Sequence, residues 1–446
     1  MPTAKQMNIA PGPRGHFLFG SMKEVKSDRI RFVSSLAKTY GDIARFRLGP
    51  KVMYLISHPE MAKHVLLTNH KNYHKGLGLT HAKPLLGKGL LTSEGELWAR
   101  QRRLIQNIFH NKLVTSYVTS INDEVDKTLD NWQQGKTEIN VFSEMTELTL
   151  RILASTLFDI NIDDKAGRIS TAFSVAIREA ALRMTSMMNI STYIPSVRSF
   201  RFKKALRSLD ALVFELIRER KAKARTGNDF LSILLDAGDQ IDERQIRDEI
   251  ITMLLAGHET TSVALSWSIF LLAQNPEYQQ KLKSGSPRLG NDKSETISRP
   301  DPAYLQAVLN EAMRLYPPVW LIPRKAVASD EIAGFHIEPG AQVLVCVYNI
   351  HRHEHFWQNP DFFEPERFQP EDKNRDKYSF LPFGIGPRVC IGKHFASLQA
   401  QITLSKIVDR FSFYSRDQKE EIKLDPLLTL RPKDDILITL DRSKSI

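Results

Sequence analysis

The chain has 446 residues, 42% of them hydrophobic and 25% charged, which is enough to enclose a large core and a buried ligand. Its two cysteines, Cys346 and Cys390, exclude a disulfide-framework protein and fit a reducing, cytoplasmic compartment. The net charge of +11 raises nucleic-acid binding, but the basic residues are dispersed and no DNA- or RNA-binding motif accompanies them, so a docking face for an acidic protein is the better reading.

The first residues, MPTAKQMNIAPGPRGHFLFGSM, hold no apolar run of signal-peptide length and nothing near the ~20 residues of a membrane span, so no anchor is expected. Pro11, Gly12, Pro13 and Gly15 mark an irregular entry, and RFRLGP followed by KVMYLISHP reads as a hairpin around Gly49–Pro50. Helical periodicity then dominates, over Trp98–Phe109, Ile121–Trp132, Phe142–Phe158 and Leu206–Lys223. A long helix starts at Asp242 as N-cap and stops before Pro276; its middle, IITMLLAGHETTSVALSWSIFLLA, is apolar nearly all round and belongs in the interior. AYLQAVLNEAMRLY forms a further helix ended by Pro317–Pro318, and residues 284 to 300 read as an exposed loop. Beyond Pro318 the texture changes to strands such as AQVLVCVYNI, a meander rich in Pro, Phe and Arg, a last helix after Gly392 and short strands in the tail. The expected architecture is one domain over 1–446, mainly α, with a helix-rich core at about 94–318. Small sheets are expected from 35–60 and 319–350, with strands at 422–441.

The densest chemical signal is the string Phe383-Gly384-Ile385-Gly386-Pro387-Arg388-Val389-Cys390-Ile391-Gly392. Glycines on both sides of Cys390 permit a tight turn whose amides point at the sulfur. Those amides, a nearby cation and a helix starting just after the cysteine all favour thiolate over thiol. For the cysteine alone, a buried structural residue is the alternative.

A second signal lies inside the long apolar helix, at Ala256-Gly257-His258-Glu259-Thr260-Thr261. Ala256 and Gly257 leave room for a flat ligand, and Thr260 can bond back to the Ala256 carbonyl one turn earlier. Glu259 and Thr260 can then relay protons, while a satisfied polar kink is the plainer reading. Zinc on His258-Glu259 fails, because Ser262 stands where a second helical His is needed.

The Cys390 string resembles the haem-binding loop of the cytochrome P-450 family, and the Ala256–Thr261 string resembles that family's oxygen-activation motif. Glu311-Ala312-Met313-Arg314 with Pro365-Glu366-Arg367-Phe368 resembles its buried Glu–Arg–Arg cluster, which gives Glu311, Arg314 and Arg367 a structural role. The resemblance runs from about Pro11 to Lys433. It implies haem b (iron protoporphyrin IX) between the long helix and the Cys390 loop, with Cys390 as the thiolate on iron and Phe383, Gly392 and Ala256 shaping the haem site. Trp98, Arg102, Arg324 and Arg388 are implied partners of the haem propionates, Arg for its two-pronged fork. A further contact, His74 or Lys75, stays unplaced. Glu259 and Thr260 are the implied catalytic pair. Some motif details look more like fatty-acid-hydroxylating and microsomal members than many bacterial ones, since Arg388 stands where bacterial relatives often carry His.

The implied reaction is insertion of one atom of O2 into a lipophilic molecule, a fatty acid or terpenoid-like compound. Electrons come from a separate ferredoxin or flavodoxin and its reductase, docking on a basic face near Arg388 and Lys393 of a monomer. A peroxide-driven oxygenase and a non-enzymatic haem sensor are the alternatives. The expected pocket walls are Leu77–Leu91, residues 170–195, Leu255 with Ala256, Val319–Ile322 (Val319, Leu321 and Ile322) and Leu427–Leu430 including Leu428. The alternating His351, His353 and His355 read as a polar turn rather than a metal strand, Cys346 as core, and Met184, Met187 and Met188 as packing.

Overall fold

Asp28 and Asp242 each open a helix by accepting a backbone N–H from the residue three places on, at 2.9 and 2.7 Å. The computed structural model describes residues 8–109, 111–160, 175–176, 179, 197–222, 229–285, 287–289, 296–298, 301–369, 375–417 and 421–442. Its principal helices are α1 (Arg29–Tyr40), α2 (Gly95–Gln106), α3 (Val118–Gly135), α4 (Val141–Leu157), α5 (Val197–Ala222), α6 (Glu243–Gln274), α7 (Pro302–Leu315) and α8 (Lys393–Arg410). The expected helices all form, several a few residues longer than the periodicity indicated. The 35–60 region is a correction, because its first residues complete α1 rather than a sheet.

α6 has almost no solvent-facing side and runs through the interior, as its all-round apolarity requires. Several of its buried hydroxyls are satisfied within the helix: Ser266 and Ser268 donate to the Ser262 and Ala264 carbonyls, both at 2.7 Å. α4 packs most extensively against it, and α5, α7 and α8 also contact it.

The principal strands are β1 (Ile43–Leu48), β2 (Lys51–Ile56), β3 (Tyr73–Lys75), β4 (Glu138–Asn140), β5 (Leu321–Ala326), β6 (Gln342–Cys346), β7 (Phe411–Ser415), β8 (Leu424–Pro426), β9 (Leu430–Pro432) and β10 (Leu437–Arg442). β1 and β2 form the expected hairpin, Leu48 facing Lys51, with Gly49 at φ 57° in the left-handed turn. The main sheet runs in the order β1-β2-β6-β5-β3, with β6 parallel to β2 and the other pairs antiparallel. Val343 and Val345 face one apolar cluster, while Leu344 and Cys346 face another that includes Trp320. Cys346 is core, and burial pushes its thiol up to about 12. A three-stranded sheet (β7-β10-β4) and the two-stranded β8-β9 hairpin complete the strands named.

Two further expectations change. The run ending in VYNI stays extended only to Cys346; Val347–Ile350 is a helical turn, because Asn349 donates to the Val33 carbonyl and the Ser57 hydroxyl, each at 3.0 Å. Within 284–300, Pro287–Leu289 pairs with Thr296–Ser298 as a short hairpin.

Candidate active site

The Cys390 loop follows the expected turn. Gly384 and Gly386 hold φ values of 67° and 75°, and the Cys390 N–H donates to the Phe383 carbonyl at 2.9 Å, closing the loop on itself. A methyl group at Gly386 would lie 2.0 Å from the Leu66 carbonyl oxygen, so only glycine lets this loop seat against the 64–68 turn. Burial pushes the Cys390 thiol up, opposed by the Gly392 amide and by the charges of Arg102 and Lys393. α8 starts directly after the loop, at Lys393.

Above Cys390 lies a cavity of about 550 Å³ that α6 borders on the opposite side, through Leu255, Ala256, Glu259 and Thr260. Thr260 donates to the Ala256 carbonyl at 2.7 Å and Thr261 to the Gly257 carbonyl at 3.0 Å. Gly257 borders the cavity beside Ala256, and a methyl group there would also meet the Leu153 side chain of α4 at 2.7 Å. Glu259 is 5% exposed, and its Oε1 accepts the Thr429 hydroxyl at 2.6 Å. The His258 ring is tied to the Leu254 carbonyl at 2.5 Å.

One edge of the cavity gathers cations. Arg324 on β5, Arg388, Arg102 and Lys75 on β3 all border it, together with Trp98. The Arg388 guanidinium lies 3.8 Å from the Trp98 ring centre and bonds Glu94 and the Ser93 carbonyl. Arg102 donates to the Val389 carbonyl at 2.8 Å. Burial, then the charge of Arg388, lowers Arg324 to about 10 and Lys75 to about 6; Arg388 itself falls to about 10 through burial, with Arg102 adding to the effect. Three guanidiniums and the Lys75 amine, with Glu94 beside them, give this edge a surplus of N–H donors and positive charge. Of His74 and Lys75, which the sequence left unplaced, Lys75 borders the cavity. The β3–β5 pairing puts it opposite Arg324, while His74 is exposed.

Sequence reasoning missed Asp248 and Glu249 at the start of α6. Asp248 accepts the Lys88 N–H at 2.7 Å and Glu249 the Leu90 N–H at 2.9 Å, so the helix clamps the 87–91 loop over the cavity. Burial raises the Glu249 carboxyl to about 7. Gly87 and Gly89 permit this approach, since methyl groups there would meet Asp248 Oδ2 at 1.9 Å and Thr252 Oγ1 at 2.1 Å.

Glu311, Arg314 and Arg367 come together away from the cavity. Glu311 and Arg314 are both 0% exposed, and Arg367 Nε stands 3.4 Å from Glu311 Oε1. His351, from the alternating histidines, is buried beside them; its backbone carbonyl accepts from Arg314, and its Nε2 accepts the Leu381 N–H at 2.7 Å. His353 joins His58 around Asp42 as a possible three-ligand metal group. Backbone amides occupy Nδ1 of both rings, at 3.2 Å each, which places the ring protons on Nε2 and makes this a hydrogen-bonded cluster. Residues 351–356 are turns, as read.

The pocket wall is aliphatic. Leu255, Val319, Leu321, Ile322 and Leu428 all border the cavity, as do Leu77, Leu90 and Leu91. Met184, Met187 and Met188, and 170–195 apart from Val175, Ala176 and Glu179, lie outside the described residues. Among the described residues, no helix is long and apolar enough to cross a membrane.

Comparison with known proteins agrees with this geometry. The family described as Cytochrome P450 matches residues 10–439. Cyclooctatin synthase of Streptomyces melanosporofaciens is 34% identical over 416 residues, covering 90% of this chain and 89% of the relative. Cyclooctat-9-en-7-ol 5-monooxygenase of the same organism is 31% identical, with 92% and 90% covered. Pentalenene oxygenase of Streptomyces avermitilis is 29% identical, with 86% of each chain covered. With its thiolate loop, apolar α6 wall and cationic edge in one cavity, this chain belongs to the cytochrome P450 family, whose cofactor is haem b, and is a monooxygenase.

Proposed function

We propose that this monooxygenase oxidises a terpenoid-like lipophile, using electrons from a separate ferredoxin or flavodoxin and its reductase. The observation that carries the substrate class is the cavity wall, where leucines from the 77–91 loop, α6, β5 and the 427–430 turn converge with few polar groups. The relatives named for cyclooctatin, cyclooctat-9-en-7-ol and pentalenene chemistry favour a terpenoid over the fatty acid that the sequence left equal.

The residues fit haem b. Cys390 would hold the iron through its sulfur, and Arg102, Arg324 and Arg388 supply cations for two propionates, with the Lys75 amine as a further donor. Trp98 stacks beneath Arg388 and fixes its guanidinium. Haem bound there supplies reductive activation of dioxygen, which no side chain of the protein can perform. The protein's own work is to present Cys390 to the iron, to exclude bulk water with the aliphatic wall, and to move protons. Glu259 and Thr260 carry that last task, the hydroxyl held on the Ala256 carbonyl and the carboxylate one residue before it. Lys393, exposed at the start of α8, marks the face for an acidic electron carrier.

Spectral titration of the purified holoprotein with sesquiterpenes, diterpene alcohols, fatty acids and steroids tests the reading. A haem spectral shift with terpenoids is expected. A shift confined to fatty acids or steroids would reject the substrate class, and absence of the thiolate-type band in the reduced carbon monoxide spectrum would reject the centre itself.

A further inference from the structure

We propose that Thr429 is a positioning residue for the Glu259 carboxylate, holding it in the orientation from which it passes protons to the oxygen chemistry. This rests on the proton-relay reading of Glu259 and Thr260 given above. A carboxylate buried in an aliphatic wall requires hydrogen-bond donors to stay in one place. Glu259 is 5% exposed, and the Thr429 hydroxyl donates to its Oε1 at 2.6 Å, while Oε2 has no hydrogen-bond partner among the described residues. The neighbouring hydroxyls are turned elsewhere, Thr260 to the Ala256 carbonyl and Thr261 to that of Gly257. Thr429 is therefore the side chain that sets the direction of the acid.

The donor itself is rigid. Thr429 is 2% exposed, and the backbone after it is pinned twice: the Leu430 N–H donates to the Pro318 carbonyl and Trp267 Nε1 to the Leu430 carbonyl, both at 2.9 Å. A β-branched side chain on a pinned backbone has few rotamers left. Leu427 and Leu428, in the same turn, border the cavity, so the acid's orientation and the shape of the substrate wall depend on one short segment.

Two measurements on the holoenzyme test this, with Thr429→Val, its rescue Thr429→Ser, and Glu259→Gln as assignment control. In the resting protein, the infrared carboxyl band that Glu259→Gln removes should move in Thr429→Val and return in Thr429→Ser. In the second, a ferredoxin and its reductase deliver electrons under air with farnesol as probe. Thr429→Val should release about threefold or more peroxide per electron pair, because dioxygen reduced without well-placed protons leaves as peroxide; Thr429→Ser should restore the wild-type yield. An unmoved band, an unchanged peroxide yield, or a Ser variant that behaves like Val overturns the assignment. Thr429→Ala replaces Val if that variant does not fold. A wild-type protein without the thiolate-type carbon monoxide band would instead defeat the functional reading, so the two failures are distinguishable.

Discussion

Arg314 and Glu311 meet through a two-pronged fork inside the protein, Nε to Oε2 at 2.7 Å and Nη2 to Oε1 at 2.8 Å, with neither side chain exposed. The other three guanidinium hydrogens go to the carbonyls of His351, Pro360 and Phe362, so all five donors are used. Glu311 Oε1 also accepts the Glu364 N–H at 2.9 Å. One buried pair thus ties α7 to the meander that leads into the Cys390 loop.

Breaking that pair leaves a charge buried without its partner. Arg314→Lys keeps the charge but has three donors in place of five, and Glu311→Ala removes the acceptor. Glu311→Ala should lower the unfolding free energy by about 3–5 kcal/mol, and Arg314→Lys by a smaller amount because the charge stays paired. Urea unfolding followed by circular dichroism and by haem absorbance measures this, and a loss below about 1 kcal/mol would contradict the role.

Cys390→Ser keeps the loop's hydrogen bond from the residue-390 amide to the Phe383 carbonyl but removes the sulfur. The variant should fold, lose the thiolate-type band in the reduced carbon monoxide spectrum and lose oxygenase activity. Retention of that band would show that another group holds the iron.

Gly386→Ala places a methyl group 2.0 Å from the Leu66 carbonyl oxygen at a residue whose φ is 75°. The left-handed backbone alone costs about 1–2 kcal/mol, and backbone cannot swing aside as a flexible side chain can. A stability loss of about 2 kcal/mol or more is expected, with a weakened thiolate-type band because the loop carrying Cys390 must shift.

Glu249 gives a pH dependence with a definite sign. Burial raises its carboxyl from 4.5 to about 7, so the folded protein binds a proton there that the unfolded chain releases. Its contribution to stability is fully present below about 4.5 and is lost as pH rises through about 7. Glu249→Gln keeps an acceptor for the Leu90 N–H without the titration. The variant's advantage over wild type should grow from near zero at acid pH to at most about 3 kcal/mol at alkaline pH. Urea unfolding of both proteins across that range tests it; a difference independent of pH would contradict it. Taking the difference cancels His351, which burial depresses to about 3 and whose contribution runs the other way, being lost as pH falls.

Where an element depends on neighbours in sequence, the chain could be read directly. The Asp242 cap, the apolar run of α6, the turn at Gly49 and the glycines around Cys390 act over a few residues, so their spacing identifies them. The same holds for Ala256 and Thr260, one turn apart, and for Glu311 and Arg314. The family resemblance rests on such local strings, and the match over residues 10–439 agrees with it.

Contacts between distant segments carry no such spacing. Lys75 reaches the cationic edge because β3 pairs with β5 and sets it opposite Arg324. Asp248 and Glu249 cap nothing in their own helix; they hold amides of the 87–91 loop. Gly257, read as space for a ligand, borders the cavity and also makes room for Leu153 where α4 packs on α6. Thr429, inside the 427–430 wall that the sequence indicated but with no partner indicated for it, meets Glu259 because Trp267 and Pro318 pin the turn beside it.

The sequence by itself determined the helices and the tight turn at Cys390, since short-range backbone geometry and residue type suffice for these, and its resemblance to a known family supplied the chemistry. Only the tertiary structure decided which cations converge, which loop is clamped over the cavity and which donor orients the acid. Those relations exist only after burial has brought together residues far apart along the chain.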